Sequence, residues 1–129
     1  MKWHSKHNIH VTAYSPLAGT NPTYDTGNLT QLLNNTVVAK IASKRECTPA
    51  QVLLAWGMQR GTSVIPKTSH LKRAKENFKS LKCELKTKDV KKIDELGKAY
   101  RRYNNPGKSW GLDLYEGLED SKGNHTKHS

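Results

Sequence analysis

The sequence predicts an α/β chain built on one parallel β-α-β unit. Three observations carry that reading. Two short strand patterns, at residues 9–14 and 63–66, stand about 50 residues apart. The stretch between them holds two segments with apolar residues at helical spacing, and a crossover containing helices joins parallel strands rather than a hairpin. Two further helical patterns follow the second strand, and no internal repeat competes with this division.

Residues 2–8 read as the end of a helix or a polar lead-in. In residues 9–14 the alternation sets Val11 and Ala13 on one face, as in a half-buried strand. Ser15-Pro16 stops it, because proline has no N–H to donate and restricts the residue before it. Residues 15–34 are rich in Gly, Asn, Thr and Pro and form a long loop, of a kind usually functional or mobile in a compact domain.

From 36 to 44, Val37, Val38, Ile41 and Ala42 give a helical apolar face. The next helix has a written start: Thr48 as N-cap, Pro49 at the first helical position and Gln51 at the capping-box place. Val52, Leu53, Ala55, Trp56 and Met58 form its buried side, and Gly61 ends it. After the strand at 63–66, Ser69 can cap a helix over 70–78 whose inward stripe is Leu71, Ala74 and Phe78. Thr87 can cap another over 88–98, with Val90, Ile93 and Leu96 inward and Asp89 favourably near its positive end. Residues after Tyr103 are loop-like, and the tail, 119–129, reads as disordered.

Composition bounds what such a chain can do. The 129 residues suit one domain and carry a net charge of +11, from 22 Lys+Arg against 11 Asp+Glu. Leu, Ile, Val and Phe make up just under a fifth of the chain, a fraction that warns of disorder when net charge is high. Three Trp, five Tyr and the periodic segments argue for real secondary structure with little apolar material for a core. No apolar run approaches a membrane span and the polar start is no signal peptide. Cys47 and Cys83 fit reduced, buried thiols better than a disulfide scaffold, so a soluble cytoplasmic protein is expected.

Residues 67–102 hold 13 Lys+Arg and 5 Asp+Glu. Such a block can attract nucleic acid, an anionic membrane surface or a phosphorylated small molecule, or can be a solvated helix face. Without interleaved aromatics it makes a poor nucleic-acid platform. His4, His7 and His10 have some metal-like spacing, but zinc wants three or four ligands in fixed geometry, and surface histidines are the simpler reading. Trp56 reads as core and Trp110 as a packing anchor.

The sharpest feature is Val64-Ile65-Pro66-Lys67-Thr68-Ser69, running into a helix with Arg73, Glu76 and Asn77. Lys67 stands at the tip of a strand, and the hydroxyls of Thr68 and Ser69 precede a helix N-terminus with unpaired N–H groups. Dipole, donors and cations converge as they do on a bound phosphate. Arg73 lies one turn on and can reach back with its planar fork, while Glu76 and Asn77 can hydrogen-bond a base edge. A solvated, capped helix suits the same residues.

Several motifs together resemble the aldo-keto reductases. They are Ala13-Tyr14-Ser15-Pro16-Leu17, Thr48-Pro49-Ala50-Gln51-Val52-Leu53-Leu54-Ala55-Trp56, and Val64-Ile65-Pro66-Lys67 with Arg73 and Glu76-Asn77. Arg102-Tyr103-Asn104-Asn105-Pro106 and Trp110-Gly111-Leu112-Asp113-Leu114 are similar to the C-terminal segment, in a fungal-like form. Order and spacing match the C-terminal part of the family, from the seventh barrel strand onward. The match spans residues 9–118, about two-fifths of a family member.

The resemblance implies part of a (β/α)8 TIM barrel, strands seven and eight with their helices, in an enzyme that reduces carbonyls to alcohols with NADPH. It matches Tyr14 to the aromatic that stacks on the nicotinamide, and Ser15 and Leu17 to positions along the pyrophosphate. Lys67, Thr68, Ser69 and Arg73 match the 2′-phosphate site, and Glu76 and Asn77 the adenine contacts. Ala18-Gly19 and His70 depart slightly from the family pattern.

The family's catalytic Tyr, Lys, Asp and His come from its first four strands, and Tyr14, Tyr24, Tyr100, Tyr103 and Tyr115 do not sit in the matching motif. No catalytic residue is therefore assigned. The expectation is a C-terminal fragment that keeps the NADP(H) adenosine site, is inactive and marginally stable alone, and meets a carbonyl substrate only when the N-terminal half is supplied. A non-catalytic NADP(H)-binding or barrel-interacting module is the alternative. A basic nucleic-acid-binding protein is a remote third.

Overall fold

A computed structural model of the chain describes residues 1–17, 32–98 and 110–112. The elements in order are α1 (Lys2–Lys6), β1 (Val11–Tyr14), α2 (Thr36–Lys44), α3 (Pro49–Gln59), β2 (Thr62–Ile65), α4 (Leu71–Phe78) and α5 (Thr87–Leu96), with 3-10 turns at Leu32–Asn34 and Lys79–Lys82. The strands pair in parallel, Val11 opposite Thr62 through Tyr14 opposite Ile65. α2 and α3 lie in the crossover between them, so the parallel β-α-β unit is present as the sequence indicates.

Local chemistry sets the helix starts. Asn35 Oδ1 accepts from the Val37 N–H at 2.9 Å and opens α2. At α3 the capping box closes both ways: Thr48 Oγ1 accepts from the Gln51 N–H at 3.3 Å, and Gln51 Oε1 accepts from the Thr48 N–H at 2.9 Å. Such a cap contributes about 1 kcal/mol by satisfying donors with no intrahelical partner. α3 stops at Arg60, and Gly61 takes φ 78°, a conformation glycine adopts without a Cβ clash.

α3 is buried almost all round, Gln51 through Ala55 and Gly57 included, and not on one face as expected. It packs against α2, β2, α4 and the turn at Lys79–Lys82, so few of its sides meet water. Val38, Ile41 and Ala42 of α2, Val52, Leu53 and Ala55 of α3, and Ile93 of α5 form one apolar cluster with Cys83 and Leu85. Trp56, expected in the core, sits half-buried at its margin. Its indole Nε1–H donates to Asp94 Oδ1 at 2.8 Å, and the Arg60 guanidinium lies 4.4 Å above its ring. A polar handle and a cation on the π face explain why this indole stays at the surface.

Four further expectations are corrected. Cys47 and Cys83 form a disulfide, with Cα atoms 6.0 Å apart. The pairing arises because Cys47 immediately precedes the α3 cap and the 3-10 turn after α4 returns Cys83 to it, a proximity that a separation of 36 residues does not reveal. α4 begins at Leu71 with His70, not Ser69, at its N-cap, and Thr68 Oγ1 accepts from the His70 N–H at 3.1 Å in a local turn. The apolar stripe of α4 faces outward: Leu71 and Phe78 are 70% and 75% exposed, and Ala74 is exposed too. Periodicity marks an apolar face and says nothing of what covers it. Trp110 is exposed rather than an anchor.

α5 starts one residue earlier than expected, with Lys86 at its N-cap, and buries Ile93. No helix among the described residues is long and apolar enough to cross a membrane. Residues 18–31 of the long loop, the segment 102–106, Asp113, Leu114 and the tail 119–129 lie outside the described residues.

Candidate functional site

Two parallel strands deliver their C-terminal ends to the same edge of the sheet. Tyr14, the last residue of β1, pairs with Ile65, the last of β2. Ser15 therefore leaves the sheet beside Pro66 and Lys67. In parallel α/β folds ligands collect at that carboxyl edge, where loops diverge and helix N-termini point inward.

On the β1 side, Tyr14 is 68% exposed. Ser15 turns the chain with φ 48°, left-handed backbone that costs a non-glycine residue some energy. Leu17 then tucks back, half-buried against the apolar cluster. On the β2 side, Lys67 and Ser69 are exposed and Thr68 is half-buried. No side chain caps the N-terminus of α4, so its first N–H groups are not claimed by a capping oxygen, and Arg73 stands exposed in its first turn.

The set suits a phosphate monoester. One ammonium, one guanidinium, two hydroxyls and a helix N-terminus supply positive charge and donors, and no carboxylate belongs to the group. Thr68 keeps its hydroxyl hydrogen for a ligand while its oxygen accepts from His70. Glu76 and Asn77, at the far end of α4, are half-buried. Tyr14, Ser15, Lys67, Thr68 and Ser69 thus lie at or just past the edge shared by β1 and β2, Arg73, Glu76 and Asn77 lie on the helix that follows, and Leu17 turns away to the apolar cluster.

Gln51 is a contributor that sequence reasoning reached only as a cap. Its buried side chain also donates, through Nε2, to the Glu76 carbonyl at 3.0 Å. The Asn77 carbonyl accepts from Ser80 Oγ at 2.6 Å. The Gln51 bond fixes the last turn of α4 against α3, and the Ser80 bond ties that turn to the 3-10 turn after it. The only signal in the sequence was an amide with two functional ends at the third position of a helix, one end more than the cap consumes.

The histidines do not converge. His7 stacks on Trp3 with ring centroids 4.2 Å apart, and His10 Nε2 meets Ser63 Oγ at 2.8 Å. Among the described residues no group of three His, Cys, Asp or Glu side chains is placed to hold a metal ion.

Comparison with known proteins follows the same outline. Residues 1–98 match the model of the aldo/keto reductase family. An NADP-dependent D-sorbitol-6-phosphate dehydrogenase of Malus domestica is 37% identical over 115 residues, covering 89% of this chain and 37% of that protein. The aldo-keto reductase family 1 member D1 of Oryctolagus cuniculus is 38% identical over 103 residues, 78% of this chain and 31% of its own length. Among solved structures, an aldose reductase from Giardia lamblia superposes with a TM-score of 0.74 at 30% identity, over 88% of this chain and 38% of that one. The chain spans about a third of the length of the relatives it matches.

Proposed function

The chain belongs to the aldo/keto reductase family, and we propose that it forms the part of an NADPH-dependent carbonyl reductase that grips the adenosine end of the cofactor. In this reading β1 and β2 are the seventh and eighth strands of a (β/α)8 barrel. Lys67, Thr68, Ser69 and Arg73 hold the 2′-phosphate, and Glu76 and Asn77 contact the adenine. Ser15 and Leu17 lie along the pyrophosphate, and Tyr14 stacks on the nicotinamide.

The observation that carries the reading is the shared strand edge. It brings the C-terminal end of β1, with the exposed Tyr14, beside that of β2, from which the chain runs through Lys67 into the uncapped start of α4, one end for a flat ring and one for an anion. Bound NADPH supplies a hydride, which with a proton converts a carbonyl to an alcohol. The residues of this chain bind and orient that cofactor. The family's proton donor and its supporting Lys, Asp and His have no counterpart in these motifs, so turnover requires the barrel portion that carries them. The outward-facing Leu71, Phe78 and Ile65 suit contact with that portion.

Titrating the chain with NADPH and NADH, followed by calorimetry, tests this. Saturable NADPH binding is expected, with NADH at least about tenfold weaker, since charge-assisted hydrogen bonds to the extra phosphate are worth roughly 1.5–3 kcal/mol. Arg73→Ala should remove most of that preference. Equal affinity for the two cofactors would overturn the assignment. No carbonyl reduction is expected from the chain alone.

A further inference from the structure

α2 and α5 lie with opposite ends together, because Arg45 at the end of α2 bonds to Asp89 in the first turn of α5. Between them runs a cavity of about 570 Å³, within the usual size of a small-molecule site. Its apolar lining comes from Val37, Ile41 and Leu96, and four lysines, Lys40, Lys44, Lys88 and Lys92, line it as well.

We propose that this groove binds a free medium-chain anionic amphiphile, with its head between Lys44 and Lys88 and its alkyl chain toward Val37 and Leu96. The polarity of the groove is graded along its length. Lys44 and Lys88 mark one end, Lys40 and Lys92 stand one helical turn further along their helices, and Val37 and Leu96 close the other end, with the exposed Glu95, held by Lys98, beside Leu96. Helical rise makes the distance from Val37 to Lys44 about 10 Å, the length of a chain of roughly eight carbons.

The charge at the lysine end is not neutralised from within. Of the two carboxylates in the lining, Asp89 is bonded to Arg45 and Glu95 to Lys98. Among the described residues no carboxylate pairs with any of the four lysines. Lys44 and Lys88 crowd each other: the nearby Lys88 ammonium is the largest cause holding the Lys44 ammonium below its ordinary pKa, with slight desolvation and Arg45 adding to it against Asp89. An anionic head between them relieves that repulsion, and the apolar end supplies what a plain polyanion site lacks.

Calorimetric titration of the whole chain with octyl phosphate, inorganic phosphate and 1-octanol provides the test. One equivalent of octyl phosphate should bind at least tenfold more tightly than either control. Shortening the alkyl chain by two carbons should weaken binding by up to about fifteenfold, since each fully buried methylene is worth about fourfold. This arm needs no altered protein. Lys44→Glu with Lys88→Glu, both at exposed positions, should weaken octyl phosphate at least tenfold, and Lys82→Glu should leave it unchanged.

Inorganic phosphate binding as well as octyl phosphate would show a solvated lysine face and overturn the proposal. Insensitivity to chain length, or to the double charge reversal, would do the same. So would a preference for phosphatidylserine vesicles over monomeric octyl phosphate.

Discussion

The Arg45 guanidinium and the Asp89 carboxylate are bonded inside the contact between α2 and α5, with Nε donating to Oδ2 at 2.7 Å and Nη2 reaching the same oxygen. Their side chains keep only 12% and 4% of their surface in water. The Lys86 N–H donates to the same Asp89 oxygen at 3.1 Å, so one carboxylate both starts α5 and ties it to α2. Removing one partner leaves the other charged and buried, which typically costs about 3–5 kcal/mol. Asp89→Asn and Arg45→Ala should each lower the urea midpoint accordingly. Replacing both with well-packed apolar residues should recover much of the loss.

The same pair gives the chain an acid limit. Burial pushes the Asp89 carboxyl upward, but the Arg45 and Lys86 hydrogen bonds and the charges of Arg45 and Lys44 outweigh it, and its pKa falls below the usual value. A carboxylate depressed in the folded state stabilises fully above its unfolded value, near 4, and that contribution fades as pH falls through the folded value. Stability should therefore drop below about pH 4, and Asp89→Asn should flatten that part of the profile. Above pH 6 the pH dependence of the two proteins should run in parallel.

The disulfide gives a second stabilising tie. Cys47 and Cys83 close a loop across 36 residues, and restricting the unfolded chain by a loop of that length is worth about 4 kcal/mol in the entropic picture. Reduction, or Cys47→Ser with Cys83→Ser, should lower the unfolding midpoint with little change in far-UV signal. Mass spectrometry after alkylation of the unreduced chain in denaturant checks the premise, since that chain should take up no label.

Legibility in the sequence divided along local and non-local chemistry. The capping box at Thr48 and Gln51 and the stop at Ser15-Pro16 involve neighbours in the chain, and each can be read directly. The parallel sense of the two strands is non-local, yet it follows from the helical crossover between them; that Tyr14 falls opposite Ile65 does not. Cys47 with Cys83, Arg45 with Asp89, Trp56 with Asp94 and Gln51 with the Glu76 carbonyl are different. They join residues 25–44 positions apart, and spacing carries no record of which surfaces meet. The α4 stripe differs for another reason: its period is legible, but nothing in the sequence says what covers it.

At Gly57 α3 lies close against the sheet. A Cβ built there would lie 2.9 Å from Val64 Cγ1, on the neighbouring strand. The Gly57 carbonyl also accepts from Thr62 Oγ1 at 2.7 Å, which fixes the helix against the start of β2. Gly57→Ala gains helix propensity of roughly 1 kcal/mol. Overpacking of about 1–3 kcal/mol opposes it, and the rigid branched Val64 cannot swing away as a longer side chain would. The net effect should be a lower thermal midpoint, and Gly57→Ala combined with Val64→Ala should recover part of it.

Leu54 and Phe78 test where the apolar surface of the chain is used. Leu54 is wholly buried, while Phe78 is 75% exposed on a helix whose apolar stripe has no cover among the described residues. Leu54→Ala should cost about 2–5 kcal/mol, the transfer loss plus the cavity left behind. Phe78→Ser should change stability by no more than about 0.5 kcal/mol, because an exposed ring gains nothing from folding. It should also reduce binding of a hydrophobic dye and slow self-association, since an exposed apolar stripe is a contact surface. A loss above about 2 kcal/mol on Phe78→Ser would mean that the outer face of α4 is packed in the isolated chain. The barrel portion could then not be what covers it.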